Sequence, residues 1–360
     1  MWTRILFAFF TVFSFSCSTL ACEELLTIGG TLQTDYYHDQ TRHHCHKLEN
    51  QFTVQLDLMF DFKTERSWAF MQLEFENEAG IQHTKKQSKN QLAGSGEGDN
   101  LYLVKGFCGY ALVDSPSYQL DYELGRHYLS DLFDSQIEFN NQFDGMLFRY
   151  TSKDTTKNHL KTTVGAFVTD YRYNRYGYAG QIDLSKIAST DLTLKYSLIT
   201  WNTPKCKPRY NFINSQILAS YHLPNDFKAY AAFLHNHAAK KHKSTDNTKA
   251  ANGWYAGLTY GHVAKKNDWS LDFNYQVVQA LAIPEWDIAG IGAYYPSGLS
   301  NYSYSLGGCS NYRGYVATIL YALTDQINLL MLYQKAKPDN KSIGRSFKAS
   351  TLEISVIYTF

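Results

Sequence analysis

The sequence has 360 residues, and its 34 lysines and arginines against 33 aspartates and glutamates give a formal net charge of +1. This balance excludes a dedicated nucleic-acid-binding protein, which needs an excess of basic side chains to neutralise phosphates. Aromatic residues make up 16% of the chain, as suits a membrane interface, but after residue 21 no run reaches the about 20 apolar residues of a membrane-spanning helix.

The first predicted element is a cleaved signal peptide at residues 1–21. Arg4 supplies the positive charge, Ile5–Phe15 is apolar, and small residues precede the cleavage position. An uncleaved membrane anchor and a lipoprotein, in which Cys22 would carry the lipid, are the alternatives. Cleavage removes Arg4, so the mature domain 22–360 has 33 basic and 33 acidic residues and a net charge of zero.

The mature chain has an odd number of cysteines, so at least one is free, lipidated or paired between chains. No two are spaced as CxxC, which excludes a zinc ribbon and a thioredoxin motif. Their pairing stays open; they are Cys22, Cys45, Cys108, Cys206 and Cys309.

From residue 27 onward, apolar and polar residues alternate with a period of two, which indicates strands with two different faces. The clearest segments are about 10–13 residues long, whereas ordinary strands average about 5–6 residues. A tilted strand that crosses a bilayer needs about 9–11 residues, so these segments are long enough to do so. Sixteen strands are predicted, at 27–36, 50–63, 67–77, 100–113, 117–128, 144–151, 158–170, 174–185, 191–202, 211–223, 226–237, 252–264, 267–278, 311–323, 325–337 and 347–360.

The connections alternate in length, which separates a barrel from a soluble β-sandwich. Connections after even-numbered strands are mostly short, namely 64–66, 114–116, 224–225, 265–266 and 324. Those after odd-numbered strands are mostly long, namely 37–49, 78–99, 129–143, 238–251, 279–310 and 338–346, whereas 171–173 is a short exception. Short periplasmic turns and long outer loops are typical of transmembrane barrels, so we predict an all-β, closed antiparallel barrel of about 16 strands.

The chain ends on an alternating strand that carries Tyr358 and the terminal Phe360. A terminal phenylalanine in this pattern resembles the signal that the bacterial outer-membrane assembly machinery reads. We therefore assign Tyr358 and Phe360 as the predicted assembly signal.

Taken together, the chain resembles a Gram-negative outer-membrane porin, and several stretches resemble a distinct porin group more than the best-studied general porins. The stretches are Gly30–Tyr37, Asn100–Lys105, Gly125–His127 with Phe143–Leu147, and Trp269–Tyr275. The resemblance implies a sixteen-stranded, often trimeric barrel in the outer membrane that passes small hydrophilic solutes or ions by passive diffusion.

In porins the third outer loop commonly folds into the barrel, and the equivalent segment here is 129–143. Its apolar residues would be unusual on an exposed loop, but packing against an inner wall would explain them. Opposed charges on this loop and the wall would create a field across the channel. The predicted constriction residues are Asp131, Asp134 and Glu138 on the loop, and Arg149, Lys161, Arg175 and Lys195 on the wall.

Other chemistry is less well supported by the residues. The group His43–His46, with His38 and Asp39, lacks the defined spacing of a metal site, so no metal or cofactor is predicted, although metal or haem capture and pH-responsive loops are alternatives. The sequence contains neither GxSxG nor HExxH, so no enzyme is predicted. A transporter of hydrophobic substrates, a surface adhesin and an outer-membrane enzyme are the alternative functions.

Overall fold

The computed structural model describes residues 25–42, 46–79, 97–137, 142–154, 158–170, 175–202, 212–241, 247–283, 291, 310–343 and 348–360. The predicted signal peptide and four of the cysteines, Cys22, Cys45, Cys206 and Cys309, lie outside these ranges. No helix within the described ranges is long and apolar enough to span a membrane.

Sixteen strands occupy the described part of the chain, and each coincides with one of the sixteen predicted strands. They are β1 (Leu25–Arg42), β2 (His46–Lys63), β3 (Ser67–Ala79), β4 (Glu97–Asp114), β5 (Tyr118–Tyr128), β6 (Gln142–Ser152), β7 (His159–Asp170), β8 (Arg175–Ser185), β9 (Leu192–Asn202), β10 (Phe212–His222), β11 (Phe227–Asn236), β12 (Asn252–Gly261), β13 (Trp269–Val278), β14 (Tyr312–Ala322), β15 (Ile327–Pro338) and β16 (Lys348–Thr359). Short 3-10 helices cover Leu129–Asp131 and Ile187–Ser189.

The sheet closes on itself, which confirms the predicted barrel and excludes the sandwich. Every strand pairs antiparallel with its neighbours in sequence, and β1 pairs with β16 from Thr31↔Thr359 to Arg42↔Lys348. At this seam, the Gly30 N–H donates to the Phe360 carbonyl oxygen and the Phe360 N–H donates to the Gly30 carbonyl oxygen, both at 3.1 Å. Closure leaves no strand edge with unpaired backbone groups.

The first outer connection is shorter than predicted. Instead of a loop at 37–49, β1 continues to Arg42 and β2 begins at His46, with the pair Arg42↔His46 closing the hairpin. Period-two alternation requires two different environments on the two faces. A hairpin that extends past the apolar band can have polar residues on both faces, so the sequence pattern ends before the hydrogen-bonded ladder does.

The two faces of the barrel differ in chemistry. Large apolar side chains point outward and are exposed, such as Leu101 (67%), Tyr178 (62%) and Ile217 (59%). The register places polar side chains on the opposite face, where Asp57 pairs with Glu74. This alternation defines an apolar exterior around a mostly polar lumen.

Candidate functional site

The connection between β5 and β6 packs inside the barrel. Its four large apolar side chains, Leu129, Leu132, Phe133 and Ile137, are each no more than 1% exposed. The backbone N–H groups of Leu132 and Phe133 both donate to the Leu129 carbonyl oxygen at 2.9 Å, which starts the segment with a tight turn. We call residues 129–137 the inner loop.

Inward-facing amides of distant strands hold the backbone of the inner loop. The Asp134 N–H donates to Gln181 Oε1 on β8 at 2.9 Å, and Gln216 Nε2 on β10 donates to the Asp134 carbonyl oxygen at 2.6 Å. Further along, Gln276 Nε2 on β13 donates to the Gln136 carbonyl oxygen at 2.9 Å. The inner loop therefore leaves β5 and reaches the wall formed by β8–β13.

A second connection, between β13 and β14, also packs against this wall. Asn214 Nδ2 donates to the Ala282 carbonyl oxygen and Asn236 Nδ2 donates to the Leu281 carbonyl oxygen, each at 2.7 Å. The sequence analysis missed this inward segment, although the apolar run Ala280–Ile283 is the same kind of signal that predicted the inner loop.

Both inner segments meet at Gly253 on β12. A Cβ atom on Gly253 would lie 3.1 Å from Ile137 Cδ1 and 3.8 Å from Ala282 Cβ. The buried apolar residues around this point form one group, the inner apolar cluster. Its described members lie on the inner loop, on strands from β6 to β16 and on the β13–β14 connection, and none of them belongs to β1–β5. The members are Leu129, Leu132, Phe133, Ile137, Phe143, Leu147, Phe167, Ala179, Ile199, Phe212, Leu218, Tyr230, Ala232, Leu234, Tyr255, Val278, Ala282, Ile283, Ile291, Tyr312, Ala336 and Ala349.

The predicted wall base Lys195 and the predicted loop acid Asp134 are in direct contact. Lys195 Nζ lies 2.5 Å from Asp134 Oδ2 and 3.4 Å from Asp183 Oδ2. The other described loop acid, Asp131, binds Lys105 on β4, with 2.9 Å between Nζ and Oδ2.

Among the described residues, Arg149 and Lys161 form no ion pair with Asp131 or Asp134, although Arg149 lies close enough to Asp131 to help lower its pKa. Arg149 Nε binds Glu123 Oε2 on the neighbouring strand at 2.9 Å. Lys161 faces the lumen and is exposed, in register with Asp183. Arg175 begins β8 but its side chain lies outside the described residues, as does Glu138.

Lys105 is a functional candidate that the sequence analysis missed. Leu101 and Leu103 are exposed on the outer face, so simple alternation would place Lys105 outward as well. A β-bulge interrupts the β3–β4 register after Leu103, and Gln72 then pairs with Lys105 on the inner face. One extra residue reverses the facing of all that follow.

The electrostatic environment of Asp131 favours its ionised form. Burial by itself would raise the pKa of this carboxyl, but His127 and Lys105 lower it from 3.8 to about 2. His127 is fully buried, stacks on Phe107 with 4.4 Å between ring centroids, and has Nδ1 3.8 Å from Asp131 Oδ2. The Asp131–Lys105 pair thus fixes the start of the inner loop at ordinary pH.

The wall formed by β1–β3 carries carboxylates that accept hydrogen bonds from neutral donors. Thr53 Oγ1 donates to Asp35 Oδ2 at 3.1 Å, and Gln55 Nε2 donates to Asp57 Oδ2 at 3.1 Å and to Glu74 Oε2 at 3.3 Å. Among the described side chains, no lysine or arginine forms an ion pair with Asp35, Asp57 or Glu74.

The described part of the chain contains no group of three histidine, cysteine, aspartate or glutamate residues that could hold a metal ion. His38 Nδ1 lies 2.7 Å from Asn50 Oδ1, whereas residues 43–45 lie outside the described ranges. Cys108 is a free thiol, 3.7 Å from the Leu124 carbonyl oxygen.

The comparison with known proteins gave matches in fold only. No family model matches the chain, and no curated protein matches it. Among solved structures, Salmonella typhi OmpF in complex with daunomycin is similar, with a TM-score of 0.55, 12% identity, and coverage of 93% of this chain and 97% of that one. A mutant of Rhodopseudomonas blastica porin has a TM-score of 0.49, 9% identity, and coverage of 93% of this chain and 100% of that one. The likeness to OmpF shows that this chain has a porin fold.

Proposed function

We propose that this chain forms a water-filled channel in the outer membrane of a Gram-negative bacterium, through which small hydrophilic solutes and ions diffuse passively. The observation that carries the proposal is the division of a closed 16-stranded barrel into an exposed apolar exterior and a mostly polar lumen. A barrel of this strand number is wide enough for an aqueous channel, whereas an eight-stranded barrel would be filled by its own side chains.

The exterior supports a position in lipid. Exposed apolar surface costs about 25 cal/mol per Å² in water, so a continuous outward band of such side chains favours contact with acyl chains. Outward residues such as Leu101, Tyr178 and Ile217 belong to this band. Membrane lipid and the barrel assembly machinery are accordingly the proposed partners. Export through the predicted signal peptide and assembly as a homotrimer stay predictions.

The packing inside the barrel supports a channel that is narrowed but open. The inner apolar cluster has members on the wall from β6 to β16, and the inner loop crosses the interior to reach this wall. We assign the constriction to this loop, with Asp131 and Asp134 on it and Lys105 and Lys195 holding it. Arg149 and Lys161 line the same lumen, and Glu138 and Arg175 stay predicted members of the constriction.

The same lumen argues against the alternative functions. A path for hydrophobic substrates would need an apolar wall, but the inner side chains of β1–β3 are mostly carboxylates, amides and hydroxyls. The porin fold provides no precedent for catalysis in this barrel, and we propose no enzymatic activity. Surface adhesion by the outer loops is compatible with a channel and would leave its conductance intact.

Planar bilayer recording of the purified chain tests the proposal. We expect stepwise channels of uniform conductance, and liposomes containing the protein should swell in small sugars and amino acids but not in large oligosaccharides. The folded state is verified separately by heat-modifiable migration in gel electrophoresis. Folded protein that gives neither conductance nor swelling would overturn the proposed function.

Acidification is expected to loosen the first turn of the inner loop, while its buried apolar side chains keep the rest of the loop on the wall. Because the pKa of Asp131 is lowered to about 2, its ion pair with Lys105 stabilises the loop fully above about pH 4 and is lost as the pH falls towards 2. The size limit for entry of polyethylene glycol should therefore increase over this range and recover on neutralisation. In the variant Asp131→Asn the limit should already be larger at neutral pH and change little in acid; an acid response equal to that of the wild type would contradict the assignment.

A further inference from the structure

The carboxylates of the inner loop contribute little net charge to the lumen, because each is matched by a cation. Asp131 binds Lys105 at 2.9 Å and Asp134 binds Lys195 at 2.5 Å. At these separations the positive and negative charges largely cancel at the distance of a passing ion. The inner loop therefore narrows the channel without giving it a strong charge preference.

The β1–β3 wall has a different charge pattern. Asp35, Asp57 and Glu74 face the lumen, and their hydrogen bonds come from threonine hydroxyls and glutamine amides, which carry no charge. Asp35 and Asp57 are only 2% and 6% exposed, so they act on a passing ion through their electric field and not by direct contact.

The described apolar residues of the inner segments pack on the other side of the lumen. The described members of the inner apolar cluster come from β6–β16 and the two inner segments, and β1–β5 contribute none. Water and solutes are excluded from the packed side, and Asp131 of the inner loop also binds Lys105 on β4, so the described residues leave the β1–β3 wall for their path. An ion that follows this path passes Asp35, Asp57 and Glu74.

We infer that the channel is selective for cations, both inorganic cations and small organic ammonium ions, and that Asp35, Asp57 and Glu74 determine this selectivity. The inference rests on the proposed function and adds the charge class of its solutes. A net charge of zero for the mature chain is compatible with it, because selectivity depends on the charges beside the path.

The test is the reversal potential of the purified full chain in planar bilayers under a potassium chloride gradient. We expect the permeability ratio of potassium to chloride to exceed 1 clearly at 10 mM salt. It should fall towards 1 in molar salt, since the Debye length shortens from about 30 Å to about 3 Å. This salt series uses the wild-type protein and needs no variant to fold.

Amide substitutions then identify the residues. The triple variant Asp35→Asn, Asp57→Asn, Glu74→Gln keeps side-chain size and should reduce the permeability ratio at 10 mM to near 1; Asp57→Asn alone should give a smaller reduction. The matched control removes three exposed carboxylates from the short turns, through Glu65→Gln, Asp226→Asn and Asp325→Asn. It changes the net charge by the same amount outside the lumen and should retain the wild-type ratio.

The outcomes separate this inference from the proposed function. Absence of conductance in the folded wild type would overturn the channel itself. Conductance with a ratio at or below 1 at low salt, or a folded triple variant with an unchanged ratio, would leave the channel standing and overturn the inference. If the triple variant lacks heat-modifiable migration, the single Asp57→Asn variant and the wild-type salt series decide.

Discussion

Replacing Leu132, Phe133 and Ile137 by serine is expected to detach the inner loop and produce the largest gain in conductance of any substitution considered. All three side chains are fully buried in the inner apolar cluster. Truncating a buried leucine, isoleucine or phenylalanine costs about 2–5 kcal/mol, so the three together cost at least about 6 kcal/mol. The loop's backbone hydrogen bonds to the wall, at about 1 kcal/mol each, are too weak to replace that loss.

Single-channel conductance and the size limit for polyethylene glycol measure this effect, and both should increase while heat-modifiable migration persists. The matched control is Ile217→Ser on the outer face, where the side chain is 59% exposed and touches neither inner segment. It removes one of the same side chains and should leave conductance and size limit unchanged. A folded triple variant with wild-type conductance would show that the inner loop does not limit the path.

Removal of Phe360 is expected to abolish the folded barrel. Its backbone makes reciprocal 3.1 Å hydrogen bonds with Gly30 across the β1–β16 seam. Deletion leaves both Gly30 groups without these partners, and an unsatisfied backbone group facing lipid costs several kcal/mol. The terminal aromatic of the predicted assembly signal is lost as well. The yield of heat-modifiable protein in the outer membrane should drop to background, and a deletion variant that assembles like the wild type would contradict this.

A substitution at Gly30 tests the closure without altering the terminal residue. A Cβ atom there would lie 2.2 Å from the Asp57 carbonyl oxygen and 2.8 Å from Phe360 Cζ, so Gly30→Val should also lower the yield of folded barrel. Gly180→Ala is the control, because its Cβ would have no neighbour nearer than 3.4 Å. If both variants assemble equally well, close packing at the seam is not what closes the barrel.

Sequence reasoning located all sixteen strands because a barrel between lipid and water imposes a period of two on every strand. It did not locate the strand ends that lie beyond the contrast between lipid and water. The hairpin of β1 and β2 extends through the predicted loop to Arg42 and His46. Residues on both faces can be polar there, so the sequence pattern does not show which face each residue occupies. Alternation can therefore find a strand in the apolar band but cannot find its ends outside it.

The candidate site was only partly accessible from the sequence. The apolar residues of segment 129–143 predicted an inward loop, and Asp134 and Lys195 were both named. The expected field, however, required separated charges, and the structure places these two in an ion pair. Arg149 forms its ion pair with Glu123 and acts on Asp131 only through its longer-range charge. Which partner an inward charge selects depends on its height and its neighbours around the barrel, which alternation does not encode.

The sequence by itself determined the strands, their order, the apolar exterior and the polar lumen, because these follow from local periodicity and the lengths of connections. Only the tertiary structure decided which wall stays open. A β-bulge turned Lys105 inward to bind Asp131, and glutamine and asparagine side chains from β8–β13 fixed two inner segments against one side. These contacts join residues far apart in sequence, and they pack the described inner segments away from the carboxylates of β1–β3.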